Sequence, residues 1–180
     1  MGRIAVVDQE NRFLRWEARK AIHEQRLFHR SVHVLTFEGD KMLIQKRHRD
    51  KQTYASFWDM GTSGHVEEED YSDGSPDEHL DAAYLLTAQR ELKEELGVEA
   101  GQLTFWKQDA PRENVHYEQM YIYLAQVKGP FTFQKEEVEA LQAVSQAELL
   151  ALFRSEEKVT PLLVSLSYEL IEAGLWPTSA

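Results

Sequence analysis

Apolar residues recur along this chain with two periods, and the switches between them predict its elements. Alternation with period two, bounded by turn residues, marks strands. Residues 4–7 read as a short strand, 8–11 as a turn and 12–16 as the return strand of a first hairpin, with a short helix over 17–24. A second and more buried hairpin follows. Its first strand covers 28–37, with Val32, Val34 and Thr36 on one face, Gly39 turns the chain, and 42–45 pairs back. Later strands are expected over 103–106, over 120–127, where Tyr121, Tyr123 and Ala125 alternate against Ile122 and Leu124, and over 140–144.

Helical spacing appears in three places. Over 76–96, Leu85, Ala88, Leu92 and Leu96 form an apolar stripe behind a capping box, Ser75-Pro76-Asp77-Glu78, and Gly97 offers a left-handed stop. Ser145-Gln146-Ala147-Glu148 caps a helix through Phe153. Thr160-Pro161 starts a last one running to Ala173 and closed by Gly174. Its stripe of Leu162, Leu166 and Leu170 suits core packing, and suits a homodimer interface equally. Strands interleaved with helices in this way predict an α/β chain, in which a mixed, mainly antiparallel sheet is sandwiched by helices.

The helix over 76–96 carries the most informative polar pattern. Glu91, Glu94 and Glu95 stand at i, i+3 and i+4, so all three carboxylates project from one face and can converge on a shared cation. Carboxylate oxygens suit hard cations such as Mg²⁺ or Mn²⁺, and clustered acids without a cation repel one another. Arg90 lies four residues before Glu94 and can pin that carboxylate. The competing reading is a solvated acidic face of an amphipathic helix.

Composition narrows the field. A chain of 180 residues is one domain by length, with residues 1–26 as an N-terminal hairpin and short helix, and 42% hydrophobic against 28% charged residues is the balance of an ordinary globular chain. A net charge of -11 argues against nucleic acid as partner, since that binding runs on basic side chains. With no cysteine there is no disulfide and no thiolate ligand. No apolar run approaches a membrane span and no signal-peptide pattern opens the chain, so a cytoplasmic protein is expected. Against this acidic background Lys46, Arg47, Arg49 and Lys51 form the one concentrated basic patch. It is either solubilising surface or the complement of phosphate oxygens.

The helix and its approach resemble the Nudix box of the Nudix hydrolases, G-x5-E-x7-R-E-U-x-E-E-x-G-U, where U is aliphatic. Arg90, Glu91, Leu92, Glu94, Glu95, Gly97 and Val98 match its second half without a gap, and Gly64-His65-Val66-Glu67 resembles its opening, which makes 64–98 a box with an insertion. Eight residues before Arg90, where the box's middle Glu is due, stands Ala82. Asp77 and Asp81 are the candidate substitutes, and the acidic stretch 67–74 the candidate insertion. The resemblance implies a Nudix fold and divalent-metal-dependent hydrolysis of a phosphoanhydride bond in a small diphosphate compound. It places the metals on Glu91, Glu94 and Glu95, with Arg90 in support.

The order His-Arg-x-Val-His-Val, Leu-Ile-Gln-Lys-Arg, Phe-Trp-Asp, Gly-His-Val is similar to the isopentenyl diphosphate isomerase branch of that superfamily. That likeness implies metal binding by His23, His29, His65 and Glu118, the last at the head of the strand over 120–127, and places a diphosphate on Arg47 and Lys51 beside the Gly64 turn. It also draws attention to Glu136 and Glu137. Two differences favour hydrolysis over isomerisation. Ser63 stands where the isomerase has a far more acidic Cys, and all three box glutamates are kept. Isomerase-type chemistry, or a sensor that binds a diphosphate without cleaving it, remains the alternative.

Overall fold

A computed structural model describes residues 2–71, 76–112 and 116–178. Its elements are β1 (Arg3–Val7), β2 (Phe13–Ala18), α1 (Arg19–Gln25), β3 (His29–Glu38), β4 (Lys41–Arg47), β5 (Trp58–Met60) and β6 (Thr62–His65). After a 3-10 turn over Glu68–Asp70 come α2 (Leu80–Leu96), β7 (Gln102–Asp109), β8 (Glu118–Gln126), β9 (Val138–Val144), α3 (Gln146–Leu152) and α4 (Pro161–Glu172). This is the mixed α+β architecture the two periods imply. The elements group into two compact units, one of Met1–Val34, Ser63–Glu91 and Leu103–Tyr123, the other of Leu35–Thr62, Leu92–Gln102 and Leu124–Ala180.

In the first unit the N-terminal hairpin forms because Asp8 and Asn11 make its turn. The Asp8 carboxylate accepts from the backbone N–H of Glu10 and Arg12, and Asn11 takes the left-handed φ of 63° that asparagine tolerates. β1 pairs antiparallel with β2 from Arg3↔Ala18 to Val7↔Phe13, and with β3 at Val6↔His29. β6 and β8 also pair with β3, and β7 with β8. Ile4, Val6 and Ile22 of β1 and α1 bury one another, with Leu27 against them.

Arg30 is the largest side chain fully buried in this unit. Its guanidinium donates to Asn11 Oδ1 and O, the Tyr71 hydroxyl, Pro76 O and Asp77 Oδ1, at 2.6 to 3.0 Å. A buried charge is tolerated because its donors are used.

In the second unit the β3/β4 hairpin turns at Gly39, with φ of 64°, and β4 is flanked antiparallel by β5 and β9. Ser145 caps α3 through the expected capping box with Glu148, and Thr160 caps α4 ahead of Pro161.

Sequence expectations for two helices need correction. Ser75 of the predicted capping box lies outside the described residues, and α2 begins at Leu80 rather than Pro76, after His79 with a left-handed φ of 54°. The buried face of α2 is Tyr84, Ala88, Leu92 and Leu96; Leu85 shares the angular position of that stripe, about 20° from Leu92, but sits near the N-terminal end of the helix and is exposed. On α4 the fully covered residues are Leu163, Leu166 and Leu170, with Leu162 only half-buried, and this stripe is covered within the chain itself.

Candidate functional site

The polar centre of the first unit grows from strand periodicity. Successive side chains of a strand alternate between faces, so His29, Ser31 and His33 share one face of β3. Glu118, the first residue of β8, comes to that face because β8 pairs with β3, and His65 ends β6, which also pairs with β3. One ligand atom from each of His29, His65 and Glu118 lies within 4.8 Å of the others. The imidazoles of His29 and His65 stack at 4.9 Å between centroids, and the exposed His23 of α1 adds a third ring at 5.2 Å from His65 and 5.8 Å from His29. Sequence likeness named these three histidines together with Glu118. The structure gathers all four.

The protonation of the cluster follows from its surroundings. His29 Nδ1 faces the Leu27 carbonyl at 2.8 Å, which fixes the proton there and leaves Nε2 as a lone pair. Burial lowers the pKa of His29 and, more strongly, that of His65, because an imidazolium loses its hydration there; each keeps the neutral, donor-capable form. Burial opposes ionisation of Glu118 and is the largest single influence, but the hydrogen bond from His33 and the electrostatic attraction of His33, His29 and His65 together outweigh it and hold the carboxyl well below the usual carboxylate range. His29 Nε2 and both nitrogens of His65 are buried without a hydrogen-bond partner among the described residues. Orphaned lone pairs beside an ionised carboxylate are a donor set fit for a divalent first-row cation.

Gly64 and α2 build the second part of the site. A Cβ at Gly64 would collide with the Glu91 carboxylate, so any side chain there would have to displace that carboxylate from its contact with Arg90. Arg90 grips Asp70 twice, Nε to Oδ1 at 3.0 Å and Nη2 to Oδ2 at 2.8 Å. It also donates to Glu91 Oε1 at 2.8 Å and to the His65 carbonyl at 3.1 Å. Arg90, expected to pin Glu94, is thus seen holding Glu91 and Asp70. Glu94 is exposed and Glu95 half-buried, and in the second unit Thr62 Oγ1 donates to Glu95 Oε2.

Asp70 is the residue that sequence reasoning missed. Counting back from Arg90 lands on Ala82, whereas counting forward from Gly64 across five residues lands on Asp70. Asp70 is buried and accepts from Thr87 Oγ1 as well as Arg90, and it closes a capping box with Glu67 over the 3-10 turn. It holds Arg90 where Asp77 and Asp81 were the expected candidates; Asp77 instead belongs to Arg30. The acidic residues 67–70 are therefore part of the box itself, and the inserted residues begin after them. Those at 72–75 lie outside the described residues.

The basic patch sits in the second unit, and both residues assigned to the diphosphate carry carboxylate partners. Arg47 Nη1 is 3.3 Å from Asp59 Oδ2 and its Nε donates to the Thr53 carbonyl at 3.2 Å, while Lys51 pairs with Glu137. Glu137 is thereby a partner of the patch. An open surface cavity of about 480 Å³ in the first unit is lined by Asp77, His79, Leu80, Asp81, Ala82 and Tyr121, none of them in either cluster. No described helix is long and apolar enough to cross a membrane.

The model of the NUDIX domain family matches residues 27–163. Nudix hydrolase 3 of Arabidopsis thaliana is 32% identical over 77% of this chain, which spans only 18% of that relative's length. An uncharacterized Nudix hydrolase of Clostridium acetobutylicum is 30% identical, over 80% of this chain and 70% of its own. Among solved structures, the Deinococcus radiodurans protein DR0079 superposes with a TM-score of 0.73 at 18% identity, covering 93% of this chain and 98% of that one. The MutT NUDIX hydrolase of Burkholderia pseudomallei gives 0.54 at 17% identity, over 77% and 94%.

Proposed function

This chain belongs to the NUDIX domain family, and from that premise we propose that it is a cytoplasmic Nudix hydrolase adding water across the phosphoanhydride bond of a small diphosphate compound, such as a nucleoside diphosphate linked to another moiety. The observation that carries this reading is the junction of Gly64, Arg90 and Glu91, because a box with its glycine pressed on its first glutamate is built for that chemistry. Glu91, Glu94 and Glu95 of α2, with Glu118 and His65, are the residues that would hold Mg²⁺ or Mn²⁺. When bound, such a cation supplies charge against the phosphoryl oxygens and acidifies a water molecule. The paired imidazoles of His29 and His65 favour Mn²⁺ over Mg²⁺ at their cluster, since nitrogen donors suit the softer ion.

The chain's own groups do the rest. One of the four glutamates takes the proton from the attacking water, and Arg90 keeps Glu91 in place. Arg47 and Lys51 exchange Asp59 and Glu137 for phosphate oxygens, which demand more of a cation than a carboxylate does.

The test is an incubation with Mg²⁺ or Mn²⁺, with and without chelator, across a panel of diphosphate compounds that includes isopentenyl diphosphate, with products resolved by mass. A gain of one water, abolished by chelator, is expected. Glu94→Gln should lower turnover by orders of magnitude while leaving Tm nearly unchanged, as an exposed carboxylate contributes little to folding. Activity retained within a few-fold would remove Glu94 from the metal set. The gathered imidazoles give the isomerase reading one observation in its favour; conversion of isopentenyl diphosphate at unchanged mass would move the chemistry to carbon and to Ser63.

A further inference from the structure

The two oxygens of Glu118 are treated differently by the fold. Ser31 Oγ donates to Oε2 at 2.8 Å, and His33 Nε2 lies 3.0 Å from the same oxygen. An ionised carboxylate only accepts, so the facing His33 nitrogen carries the proton and Oε2 receives two donors. Oε1 instead stands 3.9 Å from His29 Nε2, beyond hydrogen-bond reach but inside the cluster of orphaned imidazole nitrogens. Ser31 and His33 are both buried, and the other ring nitrogen of His33 has no hydrogen-bond partner among the described residues, so Glu118 and Ser31 are what orient that ring.

We propose that Ser31 and His33 are positioning residues that occupy one oxygen of Glu118 and present the other, as a single-oxygen ligand, to a cation shared with His29 and His65. This rests on the assignment of Glu118 as a metal ligand made above. The geometry reserves both lone pairs of Oε2, so Glu118 cannot chelate through two oxygens and its remaining oxygen keeps a fixed direction. The strand pattern makes the device: His29, Ser31 and His33 follow one another at period two on β3, ligand first and the two supports behind it. Neither support touches the cation; each acts through Glu118. Outer partners of metal ligands fix both the direction and the basicity of the ligand.

Co²⁺ added alone to the full chain supplies the readout, because its visible absorption reports a site with imidazole ligands without any need for turnover. Ser31→Ala and His33→Phe should each weaken the titration midpoint by about 10- to 100-fold and alter the band, whereas His33→Gln, whose amide can donate to the same oxygen, should stay within about threefold of the parent. Ser31→Ala removes one oxygen atom and carries the test even if the bulkier variant fails to fold, which circular dichroism would show. A parental midpoint and band in folded Ser31→Ala and His33→Phe overturns the positioning role. Glu118→Gln separates the two levels. Should that variant keep the parental spectrum, the metal assignment itself falls; should it lose the spectrum while the supports prove indifferent, only the positioning inference falls.

Discussion

A carboxylate buried on one side of a guanidinium matters more than its place in a pattern suggests. Asp70 is buried and serves Arg90, Thr87 and the backbone of Glu67 at once, so it is the acceptor on which this corner of the first unit depends. Removing it takes an acceptor from Arg90 and from the backbone N–H of Glu67, while Thr87 keeps the Ala83 carbonyl as an alternative. Asp70→Ala should lower the unfolding free energy by about 1–3 kcal/mol in urea titrations, and Asp70→Asn by less, because the amide oxygen still accepts. An unchanged midpoint in the alanine variant would mean that water replaces the carboxylate there. Ala82, by contrast, is exposed and has nothing to supply. The motif could have led to Asp70 from its glycine end, because the insertion separates the two halves of the box while leaving the first half's spacing intact.

At the level of elements, small phase errors along a helix decide which leucines matter. The stripe on α4 runs through Leu163, Leu166 and Leu170, each with at most 1% of its surface exposed, while Leu162 is only half-buried. Leu163→Ala should therefore cost about 2–5 kcal/mol, and Leu162→Ala roughly 1 kcal/mol or less, in denaturant titrations of the two variants. Equal costs would show the helix rotated about its axis relative to this packing. Strand β3 shows the same sensitivity with the opposite sign. Alternation of Val32, Val34 and Thr36 suggested one buried face, yet every residue from His29 to Phe37 is buried, since both faces are covered. The polar face between the valines, His29, Ser31 and His33, is where the chemistry lies.

For the molecule as a whole, the site trades stability for binding. Beside an ionised carboxylate stand imidazoles whose buried nitrogens lack hydrogen-bond partners among the described residues, and a cation would relieve that cost. Mn²⁺ binding only to the folded state should raise the unfolding free energy by about 2.7 kcal/mol at a concentration one hundred times its dissociation constant, read as a rise in Tm that chelator reverses. A Tm indifferent to Mn²⁺ would count against any tight site. The net charge of -11 works in the same direction, because carboxylates left unneutralised repel one another.

Much of this protein follows from local chemistry that a sequence displays directly. The hairpins, the capping box that starts α3, the Thr160 cap and Pro161 that start α4, the glycine that ends α2, and the spacing of Glu91, Glu94 and Glu95 all depend on neighbours a few residues away. Side-chain period and backbone propensity therefore suffice to find them, and with them the mixed α+β fold. What tertiary structure alone decided are partnerships between distant residues. These are the choice of Asp70 for Arg90 and of Asp77 for Arg30, the carboxylates paired with Arg47 and Lys51, the closeness of Gly64 to Glu91, and the unequal oxygens of Glu118. Such pairings depend on which strands lie side by side and on which donors burial leaves unsatisfied. Neither is written in the spacing of residues along the chain.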